Sequence, residues 1–223
     1  MDVIDALKRR ISTRAFLDTP VSEAEVRELL EAARWSASGG NLQPWQVHVV
    51  TGEARQRVID AVQKKLSTDP FANESAFPVY PESLWEPYRS RRFQVGEDMY
   101  ELLGIPREDK GARLSHLMAN YQFFGAPVGV FFSIDERMNP NQWAHLGMFM
   151  MSFCLAAESK GLATCMQEAW TPQAGTVAQA LGIEKPQIVY CGLALGHADP
   201  AAKVNQLRTR RADVDEFAVF EGF

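Results

Sequence analysis

Apolar positions along the chain follow two periods. Val3, Ile4 and Leu7 recur at helical spacing and predict a first helix over residues 2–8. Ser22 and Glu25 form a capping box, and it opens a second helix that runs through VRELLEAARW to about Trp35. WQVHVV, residues 45–50, alternates and is β-branched, as a half-buried strand does. Helices are expected again over 53–66 and 113–124. PVGVFFSI, residues 127–134, reads as a buried strand. WAHLGMFMMSFCLAA, residues 143–157, reads as a central helix buried on nearly all sides and closed by Gly161. LATC and QIVYCGLALG add two strands around a last short helix ending near Gly182. Because helices come in consecutive runs rather than alternating with strands, the fold class expected is α+β, in one domain over 1–223.

Two segments do not fit a closed monomer. Residues 69–93 are rich in proline and aromatics with little periodicity, which reads as a lid or an irregular excursion. In the last residues, Val214, Phe217, Val219, Phe220 and Phe223 would lie in water on a free tail. Burying each is worth about 1.5–3 kcal/mol, and a partner subunit is the natural surface for them.

Composition narrows the function classes. At 223 residues, 46% hydrophobic and 23% charged, the chain has the makeup of a globular protein with a sizeable core. A net charge of -5 argues against a broad nucleic-acid footprint. The most apolar stretch is too short to span a bilayer and carries His145 and Ser152, so no membrane partner is expected. MDVIDALKRR is charged and amphipathic, unlike a secretory leader. Cys154, Cys165 and Cys191 are odd in number and widely spaced, which suggests a reducing, cytoplasmic setting with thiols acting as small apolar fillers. No dinucleotide fingerprint, P-loop, HExxH or GxSxG motif occurs, and the four histidines lack metal-ligand spacing. If the chain is an enzyme, a bound cofactor should supply its reactivity.

Four stretches carry candidate chemistry. In RRISTRAF, extended geometry projects Arg10, Ser12 and Arg14 to one side, making either a cradle for a phosphate or electron-rich edge, or a solvated basic edge after a helix. In SASGGNLQPW, Gly39 and Gly40 allow close approach to a flat ligand beside the amides of Asn41 and Gln43, although a helix end and turn has the same composition. In GLATCMQEAW a short strand stops at Gln167 and Glu168, and ligands often lie beyond strand ends. NQLRTRRADVDEF brings Arg208, Arg210 and Arg211 into one basic run.

Together, RxSxRxF, SGGNxQPW, GLATCxQE and the CGLALGHAD to RxxxDEF ending resemble the FMN-dependent nitroreductase family, in the right order along the whole chain and least closely over 69–113. The resemblance implies a central, mostly antiparallel sheet flanked by helices in a domain-swapped homodimer. It implies Arg10 and Ser12 near the FMN phosphate and ribityl chain, and Arg14 at the flavin N1 and O2 edge, where a cation favours the anionic reduced ring. Ala37, Ser38, Gly39 and Asn41 match a loop that meets the flavin from the other subunit. Gln167, Glu168 and Ala169 match the segment whose backbone faces flavin N5. Arg211 matches a C-terminal phosphate ligand, with Arg208 beside it, and Asn120 is placed near the pyrimidine edge. Trp85, Tyr88 and Trp170 are candidate walls of an aromatic substrate pocket, or packing. Asp213 and Ala169 depart from a proline and a glycine common at these positions in the family. The implied activity is NAD(P)H-dependent reduction of nitroaromatic compounds, by ping-pong hydride transfer through flavin N5 with no dedicated catalytic acid and no metal. Alternatives within the resemblance are a quinone or flavin reductase, a reductive dehalogenase, or a flavin-binding protein without turnover.

Overall fold

The computed structural model describes residues 1–223. Asp2 caps helix α1 (Val3–Arg9), its carboxylate accepting the Ile4 amide. A two-residue strand β1 (Phe16–Leu17) leads to α2 (Glu23–Ala33), where Ser22 and Glu25 complete the expected capping box. Then follow β2 (Gln46–Thr51), α3 (Gly52–Thr68), α4 (Tyr88–Leu103), α5 (Lys110–Met118), β3 (Val128–Asp135), α6 (Pro140–Ser159), β4 (Ala163–Gln167), α7 (Ala174–Leu181) and β5 (Gln187–Ala198).

The five strands form one sheet in the order β1-β5-β3-β2, with β4 also on β5, and every ladder is antiparallel. The class is α+β, as expected. Side chains of β3 alternate between two cores. Val128, Val130, Phe132 and Ile134 pack with Leu29 of α2 and Leu146, Phe149 and Phe153 of α6. Phe131 turns the other way, to Val58, Ile59 and Val62 of α3 and Val177 of α7. The sheet is therefore covered by helices on both faces. Between β3 and β5 the register slips: Phe132 pairs with Cys191 but Ser133 with Val189. Tyr190 is the extra residue, and the bulge reverses which face the following β5 side chains meet.

Several expectations need correction. The helix expected over 113–124 is α5 followed by a 3-10 turn over 119–125, because Phe123 and Phe124 both adopt a left-handed backbone with φ of 52°. Such a pair costs on the order of 1–3 kcal/mol per residue and persists because both rings are buried. The Phe123 ring occupies the space above Gly129, where any Cβ would clash with it. The segment expected to be irregular over 69–93 is irregular only to Pro87. From Tyr88 it is α4, none of whose residues is fully buried: Val95, Met99, Leu102 and Leu103 recur at helical spacing but are only half-buried. The first helix lies where it is expected, but Val3, Ile4 and Leu7 on α1 are all exposed and only Ala6 is buried. Likewise α6 is apolar nearly all round, yet its own chain covers one side and leaves Met148 exposed. The three cysteines are buried and unpaired; burial raises the Cys154 and Cys191 thiols and pushes Cys165 up to about 11, as inert fillers require.

Candidate functional site

The strand β4 organises the site. At its head, the Thr13 amide donates to the Thr164 carbonyl at 3.0 Å, and Ser12 bridges to Thr164 in parallel. These contacts hold the segment from Arg10 to Arg14 extended along the strand. The other end of the chain is tied to the same place. The Arg14 amide donates to Asn205 Oδ1 at 2.9 Å, and Asn205 Nδ2 donates to the carbonyls of Ala15 and Asp199, each at 2.9 Å.

The two termini so joined enclose a cleft of about 380 Å3, lined by Lys8, Arg10, Ser12, Arg14, Arg208, Thr209 and Arg211 with Leu7, Ile11 and Leu207 between them. Five cations share this cleft with no acid, and none of the five is in an ion pair. Backbone carbonyls orient three of them. Arg14 donates to Ser12, Arg208 to Asn205 and Leu207, and Arg211 to Thr209 and Arg210. Like charges converge in this way where an anion is to be bound. Arg10, Ser12, Arg14, Arg208 and Arg211 are thus brought together, whereas Arg210 lines a separate shallow groove beside α4. Lys8 and Thr209 were not singled out from the sequence, since each reads locally as an ordinary surface residue.

At the foot of β4 lies a second cavity of about 930 Å3 with mainly apolar walls. It is lined by Asn120, Gln167, Glu168 and Ala169 among the expected residues, with Met150, Met151, Met166 and Tyr190. Strand rise is about 3.3 Å per residue, so the four steps from Thr164 to Glu168 separate the cleft from this floor by about 13 Å. The floor is rigid. Gln167 is buried, its Nε2 donating to Asn120 O at 2.9 Å and Oδ1 at 3.2 Å, and its Oε1 accepting from Trp170 Nε1 at 3.3 Å. Tyr121 donates its hydroxyl to Ala169 O at 2.9 Å. The Gln167 amide is therefore occupied as a strut. Glu168 is held above the usual carboxylate range because its surroundings desolvate it.

Other expected residues lie elsewhere. Trp170 is not a pocket wall: it is 0% exposed, packs on Phe123, Phe131 and Tyr121, and fills the space over Gly192 where a Cβ would clash. Its size and its need for an indole partner suit it to the scaffold. Trp85 and Tyr88 stack edge-on at 5.4 Å, are 61% and 50% exposed, and line neither cavity. Ala37, Ser38, Gly39 and Asn41 also line neither. They form a tight turn with φ of 60° at Gly40 and 53° at Asn41, seated on α6 with Gly39 against the His145 ring. No cluster of potential metal ligands occurs, and no helix is long and apolar enough to cross a membrane.

The sequence model of the Nitroreductase family matches residues 7–197. The chain belongs to the nitroreductase family. Two relatives within it are a nitrobenzene nitroreductase of Ectopseudomonas oleovorans, 35% identical over 97% of this chain and 95% of its own, and a 4-nitrobenzoate reductase of Pseudomonas putida, 36% identical over 100% and 96%. Among solved structures, the FMN and NADPH-dependent nitroreductase NfnB from Sphigopyxis sp. strain HMH superposes with a TM-score of 0.97 at 43% identity, covering 100% of both chains. The nitroreductase fold thus places the basic cleft and the apolar cavity at opposite ends of one five-residue strand.

Proposed function

We propose that this nitroreductase-family chain is an FMN-dependent NAD(P)H oxidoreductase of nitroaromatic compounds, working as a homodimer. One observation carries the reading: both chain ends meet at the head of β4 in an acid-free cleft of five unpaired cations, while its foot opens into a mainly apolar cavity. A phosphomonoester tail and a planar ring about one strand apart are what those two sites suit, and FMN has both. The activities of the nitrobenzene and nitrobenzoate relatives, and the FMN and NADPH dependence of the superposing structure, support the same assignment.

In this reading Arg10, Ser12, Arg208 and Arg211, with Lys8 and Thr209, hold the phosphate by charge-assisted hydrogen bonds. Arg14, between cleft and strand, sets a fixed positive charge toward the pyrimidine edge, and Asn120 lies along the same approach. The backbone from Gln167 to Ala169 forms the floor, kept in place by the Gln167 and Tyr121 struts. When bound, FMN supplies electron transfer between the nicotinamide and the nitro group. The chain's part is to bind, orient and keep the cavity dry, and protons come from solvent.

The loop of Ala37, Ser38, Gly39 and Asn41 belongs to the partner's cofactor site, which accounts for its distance from both cavities here. The exposed faces of α1 and α6, and the tail with Phe217, Val219, Phe220 and Phe223 in water, are the surfaces the second subunit covers. A cytoplasmic setting fits the three unpaired buried thiols. The test is anaerobic: FMN-loaded protein should elute as a dimer, lose its flavin absorbance on adding NADPH and regain it on adding nitrobenzene. A protein that no FMN titration colours, or whose flavin NADPH leaves oxidised, would overturn the assignment.

A further inference from the structure

Arg92 is the one cation lining the apolar cavity, and nothing in the protein neutralises it. It lies on α4, where the neighbouring Arg89 and Arg91 are paired with Glu86 and Glu216, and Arg113 of α5 is paired with Glu97 of α4. Arg92 makes no ion pair and no hydrogen bond; its guanidinium instead rests 4.4 Å from the centroid of the Tyr80 ring, itself part of the cavity lining. Stacking on an aromatic face fixes the plane of a guanidinium while leaving its N–H edge free. The only other charged residue around the cavity is Glu168, at the foot of β4. Arg92 comes from α4 and Glu168 from the residue after β4, so the cavity carries one positive group and one acid on separate elements. An aromatic ligand with an anionic substituent has one favourable orientation in such a field: the anion at Arg92, away from Glu168, and the opposite end of the ring toward Gln167, Glu168 and Ala169. A neutral ring has no such preference.

Resting on the proposed nitroaromatic activity, we infer that Arg92 is a specificity-determining residue that selects nitroaromatic substrates bearing a carboxylate and directs their nitro end to the floor of the cavity. The planar carboxylate matches the guanidinium edge in two parallel hydrogen bonds. The same chemistry is present in the 2′-phosphate of NADPH, so the two sources need separate measurements.

The experiment compares FMN-loaded wild type with Arg92→Gln, Arg92→Lys and Arg92→Glu. kcat/KM is measured for 4-nitrobenzoate and for nitrobenzene with NADPH, then with NADH, and benzoate, which cannot be reduced, is titrated calorimetrically against benzamide. Arg92→Gln should lower the nitrobenzoate-to-nitrobenzene ratio of kcat/KM about three- to fivefold and weaken benzoate by a similar factor, the size expected of an exposed charged pair. Arg92→Lys should recover part of both effects, and Arg92→Glu should lower the ratio further. An unchanged ratio with unchanged benzoate binding would overturn the inference, as would equal losses for both substrates. A fall in the NADPH-to-NADH preference with the substrate ratio intact would also overturn it, by assigning Arg92 to the nicotinamide phosphate. Should wild type reduce neither substrate, the proposed function fails, and the benzoate titration still decides what Arg92 binds.

Discussion

At the head of β4 five cations meet in a cleft of about 380 Å3 with no acid, whereas at its foot a cavity of about 930 Å3 carries only Arg92 and Glu168 as charged residues. The cations of the cleft are partly or fully exposed, three of them leaning on backbone carbonyls, where segments near the two chain ends meet. The cavity floor at Gln167 rests on buried groups behind it, Trp170, Phe123 and Phe131, which belong to the core of the protein. One site is built from charge and the other from packing. A charge-built site can lose a member without disturbing the fold; a packing-built site cannot, because interiors are too dense to relax around a missing ring.

Mutations should separate the two sites cleanly. Trp170→Ala should cost about 3–5 kcal/mol of stability, the price of a large cavity in a packed core, read from urea or thermal unfolding of the apoprotein. A loss below about 1 kcal/mol would mean that the packing behind the floor is not part of the core. Arg10→Ala should do the reverse, leaving stability within about 0.5 kcal/mol and weakening FMN about tenfold or more in a flavin titration. Unchanged FMN affinity would remove Arg10 from the cleft's function.

The smallest expected effect is on pH dependence. Burial depresses the imidazole of His48, on β2, and that of His116, on α5, and each has a buried ring nitrogen without a partner. Arg14 adds to the depression at His116. Between the lowered folded pKa and the unfolded value near 6.5, the unfolded chain binds more protons. The stability from these two groups is therefore present above about pH 6.5 and is lost as pH falls through that window. Chemical denaturation between neutral and mildly acidic pH should show the loss, and His116→Phe should reduce it. A protein equally stable on both sides of pH 6.5 would show that neither ring is held neutral.

The legible parts of the molecule were those whose signal is local. The Ser22 and Glu25 cap, the alternation of β2, the apolar run of β3 and the left-handed glycine after α6 each depend on residues a few positions apart. The same holds for Arg10, Ser12 and Arg14, which alternate onto one side because the chain is extended there. Helix α4 was not legible because none of its residues is fully buried, and the sequence leaves Trp170 as either a pocket wall or packing because an aromatic residue beside a strand end has the same local pattern in both; the structure makes it packing.

The sequence alone determined most of the elements, the basic runs over 8–14 and 208–211 and, by the order of several motifs, the family. The tertiary structure decided that those ends meet. Arg14 and Asn205 are hydrogen-bonded across 191 positions, and the Tyr190 bulge and the consecutive left-handed Phe123 and Phe124 set which residues line the cavity. The physical reason is range: periodicity and capping act within a turn or two of chain, while the position of Arg211 beside Arg10, or of Arg92 at a cavity whose floor is β4, depends on how whole layers pack.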